Sequence, residues 1–432
     1  MKVLLIGSGG REDALAWALA RSPRLELLRC APGNAGMATR GECVDLGAED
    51  VGALVEHARL ERYDLVVVGP EAPLVGGIAD RLEDAGIPVC GPRASAARLE
   101  GSKVFAKELM ARHGIPTASF RVFEDAAAAR AFLRSSAADY PLVVKADGLA
   151  SGKGVILCDD AEQALRAASD MLEGRRFGAA GARIVVEQRL VGREVSFFVL
   201  SDGAHFVELA TCQDYKRALD GDRGLNTGGM GAYSPSAFID EPCRREIVQR
   251  IVEPTLRGLA REGTPFSGVL FVGLMLTSHG PRVLEFNARF GDPETQALVP
   301  RLDGDWLELL HRAATGRLAG SSPQWKSEST VCVVMTARGY PGASDQGQPI
   351  TGCDAAAALG DVVVYHAGTR RRGADLCTSA GRVLGVTGIG RDLAAARERA
   401  YEAVARIHWD GEHHRHDIAL DAVERLAQGV NP

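Results

Sequence analysis

The amino-acid sequence predicts an α/β protein built from several packed units, and three observations support this prediction. The chain has 432 residues, about three times the ~150 residues of a typical domain. In residues 1–95, short apolar runs alternate with amphipathic stretches, which is typical of a parallel sheet covered by helices. The 50 glycines occur largely in short clusters beside charged residues, as in loops that bind ligands.

The first region contains four apolar runs of four to six residues, which predict strands that are buried on both faces. These runs lie at residues 3–6, 25–30, 65–68 and 87–90. Helical patterns at residues 13–21 and 76–85 separate some of them, and a longer helix is predicted over 95–113. Gly114-Ile115-Pro116 then interrupts the pattern. We therefore expect an N-terminal α/β domain over residues 1–117.

Three further domains are expected along the rest of the chain. Residues 118–190 combine four short strand patterns with an alanine-rich helix at 161–173, and residues 191–323 are rich in strands with a helix over 242–261. After the polar break at residues 320–323, strands near 331–336, 362–366 and 383–387 and a helix over 392–407 form a domain at 324–432. No internal repeat is present.

Composition excludes several classes of protein. The net charge of −6 and the isoelectric point near 6.0 argue against nucleic acid as a partner. The nine cysteines are scattered, as expected for reduced thiols in the cytoplasm. No apolar run approaches the ~18 residues of a membrane span, and the run after Met1 is too short for a signal peptide. We expect a cytoplasmic protein without a membrane or nucleic-acid partner.

The first glycine cluster predicts an anion site. Gly7, Gly9 and Gly10, followed by Arg11 and Glu12, come directly after the first strand and open a helix. Exposed N–H groups at a helix N-terminus favour phosphate. Glu12 stands where a dinucleotide-binding loop needs its third glycine, and no acidic residue ends the second strand. Phosphate binding is therefore favoured over NAD binding, and a plain turn remains the alternative.

A second glycine-rich loop follows a buried strand that ends in Lys145. The loop contains Gly152, Lys153 and Gly154 and leads into another strand, unlike a Walker loop, which opens a helix. This arrangement suits a flap over nucleotide phosphates, with Lys145 neutralising their charge. A plain β-turn is the alternative.

The third cluster predicts a metal site. Period-two alternation places Glu285, Asn287 and Arg289 on the same face of a strand. Carboxylate and amide oxygens suit Mg²⁺, and an arginine beside them can hold an anion with two hydrogen bonds. A solvated strand face is the alternative, but Phe286 and Phe290 between such varied polar residues make it a poorer fit.

Two further polar clusters have weaker meaning on their own. Residues 213–217 form a dense polar string that leads through Asn226 and Thr227 into a glycine turn, as in a loop that grips a substrate or in an ordinary surface loop. Residues 413–416 contain three histidines that cannot all face one metal ion in a regular helix or strand, so a solvated turn is expected there.

Together and in this order, these segments resemble the ATP-grasp superfamily and, within it, the glycinamide ribonucleotide synthetases. The resemblance extends over nearly the whole chain. Its most specific segments are Asn226-Thr227-Gly228-Gly229-Met230-Gly231 and Phe290-Gly291-Asp292-Pro293-Glu294. The other segments that carry it are residues 7–12, 32–36, 69–71, 102–107, 145–155, 285–289, 339–342 and 366–369.

The resemblance implies an ATP-grasp fold with an N-terminal parallel-sheet (pre-ATP-grasp) domain, a small lid, a central domain and a C-terminal mixed α/β domain. It implies ligation of glycine to 5-phosphoribosylamine with ATP and Mg²⁺ (or Mn²⁺), through glycyl phosphate, in purine biosynthesis, by a monomer. The alternatives are another ATP-grasp carboxylate–amine ligase and a protein that senses ATP without turnover. The lysines and the metal pair favour turnover.

The resemblance also assigns residues. It places Lys103, Lys145, Gly152, Lys153 and Gly154 at the ATP phosphates, Glu187 and Leu190 at the adenine, Glu194 at the ribose and Glu285 with Asn287 at Mg²⁺. Asp214, Thr227 and Arg289 fall in the glycine and acyl-phosphate region, with Lys145, Asp214 and Arg289 as catalytic residues, while Gly9, Gly10, Arg11 and Glu12 fall at the phosphoribosylamine. Asp13 and Tyr215 stand where the family usually has histidine.

Overall fold

The computed structural model describes residues 1–149, 154–174 and 178–429. Its N-terminal region alternates strands and helices, as the apolar runs predict. The elements are β1 Lys2–Gly7, α1 Gly10–Leu19, β2 Leu27–Pro32, β3 Glu42–Cys43, α2 Val51–Glu61, β4 Leu65–Val68, α3 Glu71–Val75, α4 Ile78–Asp84, β5 Val89–Cys90, α5 Ala94–Gly101 and α6 Lys103–Arg112.

The five strands form one parallel sheet in the order β3-β2-β1-β4-β5. The helix predicted over 95–113 is wrong in one respect, because Ser102 divides it into α5 and α6. The Ser102 hydroxyl accepts a hydrogen bond from Phe105 N at 3.1 Å, which caps α6, and donates one to Asp147 Oδ1 at 2.9 Å. A carboxylate 45 residues away thus sets the start of α6.

The next region is a small sheet with two helices on it. Its elements are β6 Phe120–Phe123, α7 Ala126–Leu133, β7 Leu142–Ala146, β8 Val155–Cys158, α8 Ala161–Leu172 and β9 Ile184–Gln188. The strands pair antiparallel in the order β6-β9-β7-β8. Leu133, Val144, Met171 and Ile184 belong to a core cluster of this region's own residues. The glycine-rich loop predicted from the sequence connects β7 to β8.

The third region is built on a long antiparallel pair of strands. The elements are β10 Arg193–Asp202, β11 Phe206–Glu208, β12 Gln213–Asp214, β13 Arg217–Leu219, β14 Arg223–Asn226, β15 Gly231–Ser234, α9 Glu241–Ile247, α10 Glu253–Arg261, β16 Ser267–Thr277, β17 Gly280–Asn287, α11 Glu294–Leu298, β18 Leu302–Asp303 and α12 Trp306–Ala314. β17 lies at the edge of the sheet β11-β10-β16-β17, which presents its polar face to the site described below.

The last region completes a second antiparallel sheet. Its elements are β19 Gln324–Trp325, β20 Ser329–Thr336, α13 Cys353–Ala357, β21 Val362–His366, β22 Thr369–Arg372, β23 Asp375–Thr378, β24 Arg382–Gly390, α14 Leu393–Val404 and α15 Leu420–Ala427. The sheet order β12-β15-β20-β24-β21 includes two strands that precede residue 323 in the chain. The loops around β12 and β15 are therefore fixed to the C-terminal region.

Candidate active site

Three lysines gather where α6 meets the small sheet, and we call Lys103, Lys107 and Lys145 the lysine group. Lys107 and Lys145 both form ion pairs with the buried carboxylate of Glu187 on β9. Burial alone would raise the pKa of Glu187, but the charges of Lys145 and Lys107 outweigh it and lower that pKa. Burial lowers the pKa of Lys107 to about 8. Two ammonium groups thus share one carboxylate.

Lys103 lies at the first position of α6, where the Ser102 cap holds the helix. Its Nζ donates to Gly148 O at 3.1 Å, at the start of the loop between β7 and β8. Burial lowers the pKa of Lys103, and the charge of Glu285 partly offsets this. Asp147 accepts from Val104 N at 3.1 Å and pairs with Arg183 at 2.6 Å, so it joins the small sheet to α6.

Four carboxylates face this group from the other side, and we call Glu194, Asp214, Glu285 and Glu294 the carboxylate group. They share the ammonium of Lys216, whose Nζ lies 3.3 Å from Glu194 Oε2 and 3.9 Å from Glu285 Oε1. Burial would lower the pKa of Lys216, but the charges of all four carboxylates hold it well above its usual value. The charge of one ammonium therefore interacts with four carboxylates.

The lysine group and the carboxylate group meet at β17. Lys145 Nζ donates to the backbone oxygen of Leu284 at 3.2 Å, one residue before Glu285. Glu285 is half-buried; burial would raise its pKa, and Lys216, Lys145 and Lys103 together lower it. Gly273 is the partner of Glu285 on β16, and a Cβ there would lie 3.3 Å from Glu285 Cγ. The missing side chain leaves room beside the carboxylate.

Glu285 and Asn287 point to the same face of β17, as the alternation predicts, but the strand ends at Asn287, so the prediction that Arg289 shares this strand face is wrong. Asn287 is 8% exposed, and its Oδ1 accepts one hydrogen bond from Arg289 Nη2 at 3.2 Å. An amide oxygen has a second lone pair, so it retains capacity for a hard cation. Among the described residues, no three His, Cys, Asp or Glu side chains are arranged to hold a metal ion by themselves. The pair fits Mg²⁺ that takes its other ligands from phosphates and water.

Arg289 is more heavily paired than the sequence suggests. Its Nε lies 3.3 Å from Glu71 Oε2, its Nη2 lies 2.7 Å from Glu100 Oε1, and its Nη1 donates to Phe290 O at 3.1 Å. Burial would lower the pKa of Arg289, and Glu100 and Glu71 raise it. Two carboxylates therefore already match its charge, and its contact with glycine stays a prediction.

Two members of the carboxylate group titrate unusually. Burial, together with the charges of Glu194 and Glu285, raises the pKa of Asp214 despite Lys216. Burial and the neighbouring Asp214 raise the pKa of Glu294, at the start of α11, to about 7. Glu294 Oε1 accepts a hydrogen bond from Ser196 Oγ at 3.3 Å. The pair therefore resists carrying two negative charges at neutral pH.

Thr227 supports Lys216 through the backbone. Its hydroxyl donates to Lys216 O at 2.9 Å and accepts from Gly229 N at 2.9 Å, and its own N–H donates to Lys216 O at 2.8 Å. A substrate contact by Thr227 stays a prediction. Glu194 and Leu190 flank the beginning of β10, and Glu194 is exposed. Gly152 and Lys153 lie outside the described residues, while Gly154 O accepts from Ala146 N at 2.8 Å.

The N-terminal glycine loop is enclosed by carboxylates. Gly9 N donates to Glu12 Oε2 at 2.7 Å, and Arg11 Nε pairs with Glu12 Oε1 at 2.6 Å. The Arg11 backbone N–H donates to Asp292, which also pairs with Arg382 at 3.2 Å. A Cβ on Gly10 would lie 2.6 Å from Gln296 Nε2. The carboxylate of Asp292 is thus the anion at the N-terminus of α1.

The two residues that depart from the family pattern make contacts between domains. Asp13 forms an ion pair with Arg40 and accepts from His366 N at 2.7 Å, and burial raises the pKa of Asp13 to about 6. Tyr215 donates to Asp421 Oδ1 at 2.5 Å and accepts from Ala419 N at 3.0 Å. Both side chains therefore join the C-terminal region to the rest of the chain.

The histidine-rich segment was expected to be a solvated turn, but His413 and His414 are half-buried and Arg415 is buried, because the segment packs against the turn between β13 and β14. His413 Nε2 lies 2.9 Å from Ala218 O, and His416 Nδ1 lies 3.0 Å from Asp220 Oδ2. Between them, buried Arg415 pairs with Asp417 at 2.7 Å. The segment holds the turn between β13 and β14. No helix in the described ranges 1–149, 154–174 and 178–429 is long and apolar enough to cross a membrane.

Sequence reasoning missed Lys216 and Glu294 as members of the site. Lys216 stood in the polar string at 213–217, two residues after Asp214 and therefore on the same side of an extended segment. That spacing was a usable signal. Glu294 carried no such signal, because it enters the site from the short helix α11 after a turn.

Models of one family match three parts of the chain. The phosphoribosylglycinamide synthetase N domain matches residues 1–100, its ATP-grasp (A) domain residues 101–295 and its C domain residues 330–421. Proteins called phosphoribosylamine–glycine ligase are similar over their full length. The chain is 50% identical to that of Rhizobium meliloti (strain 1021) over 426 residues, or 98% of this chain and 99% of the relative. It is 50% identical to that of Allochromatium vinosum over 428 residues, with the same coverage.

Solved structures agree with this assignment. The phosphoribosylamine–glycine ligase of Thermotoga maritima superposes with a TM-score of 0.84 at 33% identity, covering 97% of this chain and 100% of that one. A biotin carboxylase from Campylobacter jejuni superposes with a TM-score of 0.75 at 16% identity, covering 100% of this chain and 97% of that one, which shows the shared fold alone. These matches confirm the predicted ATP-grasp fold. The chain belongs to the phosphoribosylglycinamide synthetase family.

Proposed function

We propose that the chain is an ATP-dependent ligase that joins glycine to 5-phosphoribosylamine, giving glycinamide ribonucleotide, ADP and phosphate in purine biosynthesis. The full-length similarity to ligases of that name supports the reaction. The observation that carries the proposal within the site is the meeting of two groups of opposite charge at Leu284 and Glu285. A nucleotide triphosphate with its metal has the complementary pattern of charge.

The lysine group would bind the phosphates. Lys103 is half-buried and Lys145 is buried, and Lys145 shares the one carboxylate of Glu187 with Lys107. A polyanion therefore gains from the field of these ammonium groups with little competition from water. Gly152, Lys153 and Gly154 would approach the phosphates from the loop after β7. Glu187 and Leu190 would lie toward the adenine, and Glu194 toward the ribose.

Glu285 and Asn287 would hold Mg²⁺, or Mn²⁺, through hard oxygen ligands. When bound, this ion supplies positive charge to the phosphoryl group that is transferred. The residues around it orient the reaction: Asn287 is fixed by Arg289, and Glu285 by the neighbouring ammonium groups. The side chains of Glu285 and Asn287 would thus need little movement when the metal binds.

Glycine activation follows from the chemistry of carboxylates. A carboxylate is a poor electrophile, so its phosphorylation to glycyl phosphate creates a leaving group that the amine of phosphoribosylamine displaces. Asp214, Thr227 and Arg289 would position glycine and the acyl phosphate, and Gly9, Gly10, Arg11 and Glu12 would contact phosphoribosylamine. Most of the rate would come from positioning and charge.

The chain would act on small molecules as a cytoplasmic monomer, without nucleic acid or membrane. All nine cysteines are free thiols, which supports a reducing compartment. An ATP-grasp ligase with another substrate and an ATP sensor remain the competing functions, and neither is favoured by the full-length relatives.

The test is ligation with isotopically labelled glycine. Purified protein is incubated with ATP, Mg²⁺, phosphoribosylamine generated in the assay and glycine labelled with ¹⁸O in its carboxylate. We expect glycinamide ribonucleotide by mass spectrometry and one ¹⁸O atom in the phosphate released. Phosphate release that does not depend on both substrates, or unlabelled phosphate, would contradict the proposal.

A further inference from the structure

Lys216 lies between two residues that have separate tasks in the proposed function. The inference below rests on that function. Its ammonium lies 3.3 Å from Glu194, proposed for the ribose, and 3.9 Å from Glu285, proposed for the metal. The two carboxylates belong to β10 and β17 of one sheet, and each of these strands pairs antiparallel with β16, which lies between them. A single flexible side chain therefore spans the two positions at which ligands would arrive.

The backbone of Lys216 is held firmly while its side chain is not enclosed. Two donors of Thr227, the hydroxyl and the N–H, bind Lys216 O at 2.9 and 2.8 Å. The preceding residue, Tyr215, is anchored on the opposite face by Asp421 and by Ala419 N. The Lys216 side chain is 35% exposed. The fold thus fixes where the side chain starts and leaves part of that side chain open to solvent.

Without the ammonium of Lys216, the carboxylate group would carry a larger excess of negative charge. Asp214 lies close enough to raise the pKa of Glu294, and Glu194 and Glu285 raise the pKa of Asp214. Like charges at such distances repel by an amount that depends on local screening. A divalent cation that enters the site must therefore replace the interaction that Lys216 already makes.

We propose that Lys216 is an internal counter-ion of the empty site, which holds Glu194 and Glu285 until metal and nucleotide replace it. Its ammonium competes with Mg²⁺ for Glu285 and with the ribose for Glu194. This competition keeps the protein from binding Mg²⁺ firmly before the nucleotide is present. Lys216 is thus a residue that sets the order in which the ligands are bound.

The test measures Mg²⁺ binding without nucleotide and without turnover. Wild type, Lys216→Met and Lys216→Arg are freed of metal with EDTA, dialysed and titrated with MgCl₂ by calorimetry, with melting curves in parallel. We expect Lys216→Met to bind Mg²⁺ at least about tenfold more tightly, because a competing charge is removed. Its melting temperature should be lower without metal and rise more with Mg²⁺ than that of wild type. Lys216→Arg should resemble wild type.

Matched variants separate this effect from a general loss of charge. Lys326→Met removes a lysine that donates to Pro300 O, away from the carboxylate group, and should leave Mg²⁺ binding unchanged. Lys216→Gln replaces Lys216→Met in the same titration if the latter does not fold. Equal Mg²⁺ affinity in wild type and the neutral variants would overturn the inference, as would Lys216→Arg behaving like Lys216→Met. Loss of ligase chemistry in wild type would instead overturn the proposed function.

Discussion

The lysine group and the carboxylate group leave unmatched charge of opposite sign. In the first, Lys107 and Lys145 share the single carboxylate of Glu187, while Lys103 donates to the backbone oxygen of Gly148. In the second, four carboxylates share the ammonium of Lys216, and the charges of Lys145 and Lys103 act on Glu285 as well. Neither group would be a good way to stabilise a fold, since buried charge is costly unless it is fully paired. Their opposite imbalance is better suited to a ligand that carries both signs.

The way each group is built also differs. The lysine group is assembled from α6, whose buried side chains belong to one of the larger cores, and from the small sheet, which has its own core. The carboxylate group comes from β10, β12, β17 and α11, whose sheets are long and anchored in the larger cores. Phosphates would therefore meet a group that joins two cores, and the metal a group that is built on the larger sheets.

The largest effect is expected from breaking the lysine group. Lys145→Met removes the ammonium that lies beside Leu284 O, so it should lower turnover about 10³-fold, in the range seen when a charge-stabilising donor is lost. Steady-state kinetics of phosphate release with glycine and phosphoribosylamine would measure this. Glu187 keeps its pair with Lys107, so the melting temperature should change little. Lys326→Met is the control, and equal losses in both variants would contradict the assignment.

Breaking the carboxylate group at the metal pair should have the next largest effect. Glu285→Gln keeps the size of the side chain and removes one charge, so turnover should fall about 10²-fold, or about 2.7 kcal/mol of barrier. Excess Mg²⁺ should restore part of the activity. Stability without metal should be unchanged or higher, because the carboxylate group loses a repulsive member. Wild-type turnover of this variant at low Mg²⁺ would remove Glu285 from the metal site.

A smaller effect is expected from a substitution that alters the position of Lys216 and leaves the charge of the carboxylate group unchanged. Thr227→Val removes the hydroxyl that binds Lys216 O and Gly229 N, and we expect turnover to fall about tenfold, as about 1.4 kcal/mol of positioning is lost. Thr227→Ser keeps the hydroxyl and should restore most of the turnover. A loss of the same size in Thr227→Ser would show that the methyl group, and not the hydrogen bonds, matters.

The smallest effect concerns a buried charge outside both groups. Asp13 has a pKa of about 6 in the folded chain, above its usual unfolded value of about 3.9, so folding takes up a proton in the range between them. Stability due to Asp13 therefore rises as the pH falls through 6. Relative to Asp13→Asn, wild type should gain about 1 kcal/mol of unfolding free energy between pH 7 and pH 5. A pH-independent difference in urea unfolding would contradict this pKa.

Sequence patterns were informative for polar residues on a single strand, because side chains alternate between the two faces of a strand. Glu285 and Asn287 were predicted from alternation, and Lys145 from its place at the end of a buried strand. The break at Ser102 was missed, because Asp147 reaches it from the end of β7, 45 residues further along the chain. The shared role of Lys216 was also missed, since its four carboxylates come from four separate elements. Local periodicity cannot report contacts that only the assembled fold creates.

The ion pairs of Arg289 are a second example of tertiary contacts that local periodicity does not predict. The sequence predicts an arginine available to an anion, but Glu71 and Glu100 approach it from helices α3 and α5 more than 180 residues earlier in the chain. Its charge is matched within the fold before any substrate binds. Arg289 does lie beside Asn287, but its electrostatic state depends on tertiary contacts, and its role in the site stays a prediction.

The most direct test of the two opposite charge groups is the position of a bound metal. Crystals grown with Mn²⁺ and a non-hydrolysable ATP analogue would be measured for anomalous scattering from the metal. We predict one Mn²⁺ peak within about 2.3 Å of Glu285 and Asn287 oxygens, with the terminal phosphates within hydrogen-bond distance of Lys145 and the Lys216 ammonium withdrawn from Glu285. A metal bound at Glu187, or phosphates on the side of the carboxylate group, would contradict the account.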